Sequence, residues 1–194
     1  MPRKKQFDEE QVLQQAMELF REKGYHSTSY HDLVDRLGIN RASLYDTYGD
    51  KQTLFSRSLD LYQQKNYRRI EELIHSDGPA DEKLEALFEA VLADTLQDPQ
   101  RKGCLMVNTI TELASQEPEL AQQLERNTHH IEELFARLIR QGQAEGSIPD
   151  RRDAGELAKY LFASYAGLQV VAKIWTDTAS LRQVKRQILR SVLS

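Results

Sequence analysis

A single cysteine among 194 residues rules out an intrachain disulfide framework and fits a reducing compartment. No apolar run approaches the roughly 20 residues that span a bilayer as a helix. The start, MPRKKQFDEE, has no apolar stretch of the kind a secretory signal needs. These absences lead to the expectation of a soluble, cytoplasmic protein with no membrane partner. Surplus positive charge is missing too. The formal net charge is −4, and residues 1–51 hold 8 Lys/Arg against 9 Asp/Glu. Proteins that coat nucleic acid non-specifically depend on many surplus cations to release counterions, so binding here must come from local placement of charge.

Catalytic and metal signatures are equally scarce. There is no phosphate-binding glycine loop, nucleophile elbow or paired-cysteine zinc site. Glu72 and His75 form one Glu-x-x-His, whereas a carboxylate-bridged di-iron bundle needs two such pairs and two further Glu. His129 and His130 are adjacent, so on a helix they point about 100° apart and cannot chelate one ion. Neither a metal nor a cofactor is expected, and no set of catalytic groups can be assembled. Strand-like alternation and internal repeats are also absent, which leaves an all-α chain.

The sequence is organised around Ser29–Lys51, SYHDLVDRLGINRASLYDTYGDK. Leu33, Val34 and Leu37 share one helical face, with Thr28 or Ser29 placed to cap the first turn. Gly38 ends that helix where φ can turn positive. Ile39 plugs the turn, Asn40 caps a second short helix, and Leu44 with Tyr48 fixes it to the first. Arg41, Ser43, Tyr45 and Thr47 then face away from that contact. Such a surface is poor core material but suits a DNA groove, where Arg reads guanine and hydroxyls reach phosphates. This is a helix-turn-helix pattern, although an ordinary hairpin with a solvated face has the same residues.

Around this unit the spacing predicts helices from Asp8 to Gly24, with Val12, Leu13, Ala16, Leu19 and Phe20 on one face, and from Lys51 to about His75. Further helices are expected over 81–97, 103–115 and 118–141, followed by a loop over 142–149. Pro2–Lys5 reads as a basic arm. From Asp153 to Trp175 the chain is apolar on nearly every face, with small residues at Ala163, Ser164, Ala166 and Gly167. That is either a central core helix or one that packs inside the subunit on one side and against a second chain on the other. A last helix carries Leu181, Val184, Ile188, Leu189 and Val192 as a stripe.

The positions Phe20, Gly24, Tyr25, Thr28, Asp32, Leu33, Gly38, Ile39, Leu44, Tyr45, Tyr48, Asp50, Lys51, Leu54 and Phe55 resemble the N-terminal domain of the TetR/AcrR family of transcriptional regulators. The resemblance covers about the first 70 residues; beyond them only the run of helices is similar. It implies an N-terminal three-helix DNA-binding domain (1–50), then an effector-binding and dimerisation domain (51–194), about nine helices in all. It also implies a homodimeric repressor that a small-molecule effector releases from a double-stranded operator. The expected DNA-contacting set is Thr28, His31, Asn40, Arg41, Ser43, Tyr45, Thr47, Tyr48 and Lys51, in which Arg41 reads a base and Tyr45 and Lys51 match family positions for phosphate contact. The chain departs from the family at His31, Val34, Ala42 and the acidic Asp46.

Polar groups inside otherwise apolar helices, Asn108, Thr111, Tyr160, Ser164, Tyr165 and Gln169, suit a pocket that orients a mostly apolar effector. Cys104 joins them: it stands near an expected helix start beside Arg101 and Lys102, which lowers a thiol pKa. Its Gly-Cys-Leu triplet resembles one in an electrophile-sensing subgroup of the family. The expected dimer contact is Leu161, Tyr165, Leu168, Leu181, Val184 and Ile188, in a four-helix arrangement. Two other classes compete, a helical-bundle enzyme that uses the hairpin as scaffold and a helical adaptor that binds only protein.

Overall fold

Side-chain caps set most of the helix starts. In the computed structural model, which describes residues 7–194, the order is α1 (Glu9–Lys23), α2 (Tyr30–Leu37), α3 (Arg41–Tyr48), α4 (Lys51–His75), α5 (Ala80–Gln97), α6 (Leu105–Leu113), α7 (Pro118–Glu145), α8 (Ala154–Val171) and α9 (Thr178–Leu193). No strand occurs among the described residues, and the expected arm Pro2–Lys5 lies outside them. Asp8 accepts from the backbone N–H of Glu10 and Gln11, Asn40 from Ser43 and Asp50 from Thr53. Asp153 does the same for Glu156, and Asp177 for Ala179 and Ser180. Each cap satisfies amides that the first helical turn leaves without partners, an effect of about 1 kcal/mol per cap.

Three boundaries differ from the sequence expectation. α7 runs on to Glu145, through Gly142, because the missing side chain there lets the helix lie against a neighbour: a Cβ on Gly142 would sit 2.5 Å from Ile148 Cγ1 and 3.0 Å from Ala80 Cβ. α8 stops at Val171, and residues 172–174 continue as turns that carry Ile174 and Trp175 out into solvent. α6 starts two residues later than its apolar run, with Cys104 as N-cap.

The chain forms two compact units. The first takes residues up to Lys65 together with Cys104–Ala121; the second takes Asn66–Gly103 and Gln122–Ser194. In the first, Phe20, Leu33, Leu44, Leu54, Phe55 and Leu59 are buried, and Phe20 meets Phe55 edge-on at 4.9 Å between ring centres. α6 belongs to this unit through its packing on α1. The second unit packs α9 against α5 and α8, around Phe88, Phe135, Leu138, Leu161 and Leu189. Lys185, nearly buried, reaches Glu89 at 2.5 Å and Glu85 at 3.8 Å, and the Lys185 contact is the main reason the Glu89 carboxyl lies below its usual range. Among the described residues no helix is long and apolar enough to cross a membrane.

Candidate nucleic-acid interface

α2 is fixed at its start by a reciprocal pair. The Asp32 N–H donates to Ser29 Oγ at 3.1 Å, and the Ser29 N–H donates back to Asp32 Oδ2 at 2.9 Å. Lys23 of α1 reaches Asp32 at 2.5 Å; it is the largest cause, ahead of Ser29, of a carboxyl held far below its usual range. Gly38 then adopts φ 63° and turns the chain into α3. Leu33, Leu37, Leu44 and Tyr48 are buried between these helices and α1. The two short helices are thereby held as one reading unit.

The expected contact residues divide between the surface and the interior. Arg41 and Tyr45 are exposed, Ser43 and Thr47 are half-buried, and Asn40 caps the helix. His31 is almost fully exposed and approaches Asp35 at 3.4 Å. Thr28 is buried, its hydroxyl donating to Gly24 O at 2.6 Å. Tyr48 is 4% exposed; its hydroxyl donates to Glu9 O, and burial raises its phenol pKa. Lys51 turns its ammonium inward, donating to Tyr25 O and Thr28 O at 2.9 Å each and lying 4.3 Å from the Tyr25 ring centre. Desolvation lowers its pKa, opposed by Glu112.

Two residues that periodicity did not single out organise this surface. Tyr30, the first residue of α2, stacks on Tyr45 with ring centres 5.2 Å apart. Its hydroxyl accepts from the Lys51 N–H at 3.2 Å, and the side-chain interaction with Tyr45 is the largest cause of a raised Tyr30 pKa and a lowered Tyr45 pKa. The Arg41 guanidinium lies over both rings, 4.9 Å from Tyr30 and 5.5 Å from Tyr45, and donates to Tyr45 Oη at 3.3 Å. Glu112 of α6 accepts the N–H groups of Tyr25 (3.0 Å) and His26 (2.8 Å), gripping the α1–α2 turn. A charged residue in the apolar run LMVNTITEL was the available signal for Glu112.

The expected effector residues fall in different units, Cys104, Asn108 and Thr111 in the first and Tyr160, Ser164, Tyr165 and Gln169 in the second. Cys104 is 2% exposed, and the Thr111 hydroxyl donates to Asn108 O on its own helix. In the second unit Tyr160 lines a cleft of about 230 Å³ with Arg152, Glu156, Leu157 and Ser191. A further polar group went unremarked: Gln63 of α4 is buried with neither amide atom hydrogen-bonded. Its spacing of four from Leu59 and eight from Phe55 already places it on the buried face. Of the expected dimer residues, Leu161, Leu168, Leu181 and Ile188 are buried inside the second unit, and Tyr165 and Val184 are half-buried.

Comparison with known proteins matches both ends of the chain. Residues 12–57 fit the model for bacterial regulatory proteins of the tetR family, and residues 80–188 fit the tetracyclin repressor-like C-terminal domain. The uncharacterized HTH-type transcriptional regulator YezE of Bacillus subtilis (strain 168) is 35% identical over 184 residues, 94% of each chain. The HTH-type transcriptional repressor ComR of Escherichia coli (strain K12) is 29% identical, covering 97% of this chain and 90% of its own. Among solved structures, a cysteine mutant of the TetR family regulator CifR, complexed with 26-bp operator DNA, superposes with a TM-score of 0.87 at 28% identity, covering 97% of this chain and 99% of that one. The chain belongs to the TetR family of transcriptional regulators.

Proposed function

We propose that this protein is a homodimeric repressor that binds a palindromic duplex through α3 and leaves it when a small effector binds. The observation that carries the DNA assignment is the exposed surface of α3, where Arg41 and Tyr45 stand outward on a helix whose other face is buried. Arg41 opens the helix and reads a base; Tyr45 meets a phosphate. Lys51 spends two of its three N–H groups on the turn, leaving one for a phosphate. Thr28 and Tyr48 support this surface from inside. The resemblance to CifR, whose structure includes operator DNA, supports the same reading.

Dimerisation uses the outward stripe of α8, Tyr160, Ala163, Gly167 and Val170, continued by Ile174. These residues recur at spacings of three and four, the period of a helix face. All are exposed, Ile174 to 73%, and apolar surface of this kind marks an interaction site. The effector is bound by the helices outside the α1–α3 unit, and α6 passes its arrival to the DNA-binding helices through Glu112. Tenfold weaker DNA binding needs about 1.4 kcal/mol of coupling, and DNA then weakens effector binding by the same factor.

The test is selection from a randomised duplex pool. The protein should enrich a palindromic sequence with half-sites about one helical turn, or a multiple, apart. Arg41→Ala should bind that sequence roughly tenfold more weakly or worse and relax its base preference. Recovery of no sequence, or equal loss by Arg41→Ala on selected and random duplexes, would refute the assignment.

A further inference from the structure

We propose that Asp46 is a specificity-determining residue of the recognition helix, its carboxylate accepting from the exocyclic amino group of a cytosine in each half-site. The inference rests on the DNA-reading assignment above and deepens it by naming a base. α3 buries Leu44 and Tyr48. At about 100° per residue, Asp46 stands about 160° round the helix from both of them, so it points directly away from the packed face. Asp46 is exposed. So is Ala42, one turn earlier on the same side, whose methyl leaves the approach to a groove floor unobstructed. A duplex that receives α3 in its major groove therefore meets Asp46 at the floor, where the base edges lie.

A carboxylate in that place needs a donor. On α1 and α2, Glu22, Asp32 and Asp35 each face a basic side chain, Arg36, Lys23 and His31 respectively. Asp46 has no such partner among the described residues. Arg41, the cation of α3, lies over the Tyr30 and Tyr45 rings and donates to Tyr45 Oη instead. Against DNA the uncompensated carboxylate is repelled by phosphates, and desolvating it without a hydrogen bond is costly. The major groove offers two kinds of donor, the cytosine N4 and adenine N6 amino groups. Adenine sets its N7 acceptor beside N6, which opposes a group whose two oxygens only accept; cytosine presents no acceptor at that edge. The carboxylate thus selects cytosine, whereas an Asn amide, donor and acceptor together, suits adenine.

Selection from a randomised duplex pool by wild type, Asp46→Asn and Asp46→Ala decides the matter. Wild type should fix a C·G pair at one position of each half-site. Asp46→Asn should convert that position to A·T, and Asp46→Ala should accept every base pair there, with the remaining positions unchanged. On the wild-type sequence Asp46→Ala should bind roughly tenfold more weakly. On random duplex it should bind more tightly, because a charge that phosphates repel is gone. These opposite signs separate base reading from a loss of folding, and the melting temperature should stay within error of wild type, as for an exposed side chain without partners. Unaltered base preference in both variants, or Asp46→Ala binding selected and random duplex more tightly by the same factor, would overturn the proposal. Failure of the wild-type protein to select any duplex would strike the DNA-reading assignment beneath it, and the proposal with it.

Discussion

Glu112 gathers the turn between α1 and α2 onto one carboxylate, and Gly24 makes room for it. A Cβ on Gly24 would lie 2.8 Å from Glu112 Oε2, at a φ of 81° that side chains rarely adopt. Gly24→Ala should therefore cost about 1 kcal/mol or more for the conformation alone, with the clash added. Glu112→Ala removes the acceptor for the Tyr25 and His26 N–H groups, which should destabilise by roughly 1–3 kcal/mol. Urea unfolding measures both, and amide exchange at Tyr25 and His26 should accelerate in Glu112→Ala. Protection left intact there would mean the carboxylate does not hold the turn. Gln63 presents the opposite sign. Its buried amide has no hydrogen-bond partner, so Gln63→Leu should raise stability by about 1 kcal/mol. A lower melting temperature in that variant would show that the amide is satisfied in solution.

Individual helices here depend on short polar caps more than on length. α2 and α3 have 8 residues each, too few to persist alone. Ser29→Ala should cost about 1 kcal/mol by leaving the first turn of α2 uncapped, a loss that urea unfolding would resolve from none. Several caps are carboxylates, which makes them pH-dependent. The carboxyls of Asp32, Asp50 and Asp177 all lie below their ordinary value of 3.8 in the folded protein, Asp32 chiefly through Lys23, Asp50 through the Thr53 N–H, and Asp177 through Ser180. A folded-state pKa below the unfolded one contributes stability that is complete above the unfolded value and lost as pH falls through the folded one. Melting temperature should therefore hold steady from neutral pH down to about pH 4 as far as these groups decide it, and fall below that. Asp32→Asn should flatten the acid limb; an identical limb in that variant would exclude Asp32 as a contributor.

At the scale of the whole molecule, the chain is a transcriptional regulator and not an enzyme, and its assembly is the property most open to test. Gly167 is exposed in the middle of α8, and a Cβ there meets nothing within 4 Å. Within one chain this glycine only weakens the helix, by about 1 kcal/mol relative to Ala. A second helix packed closely against it supplies a reason for it. Gly167→Arg should thus leave the subunit folded, with helix propensity improved, yet disrupt the proposed dimer and with it tight operator binding. Sedimentation showing an intact dimer in Gly167→Arg would remove this face of α8 from the interface.

The sequence by itself determined the all-α class, the helix-turn-helix and most helix starts, because these rest on local rules. Caps such as Ser29 and Asn40, the Gly38 stop, and the spacing of Leu33, Leu37 and Leu44 act within a few residues of each other. It also indicated Arg41 and Tyr45 as outward residues of α3. The tertiary structure decided which side of an all-round apolar helix faces inward: Leu161 and Leu168 point to the core of the second unit, while Gly167 and Val170 face solvent. Periodicity cannot choose between faces that are equally apolar. Only the fold joined α6 to the DNA-binding helices, through Glu112 and residues 86 and 87 positions earlier in the chain. It likewise turned the Lys51 ammonium inward and set Tyr30 against Tyr45 and Arg41. Hydrogen bonds and ring contacts between residues distant in sequence follow from how elements pack, and no local pattern encodes that packing.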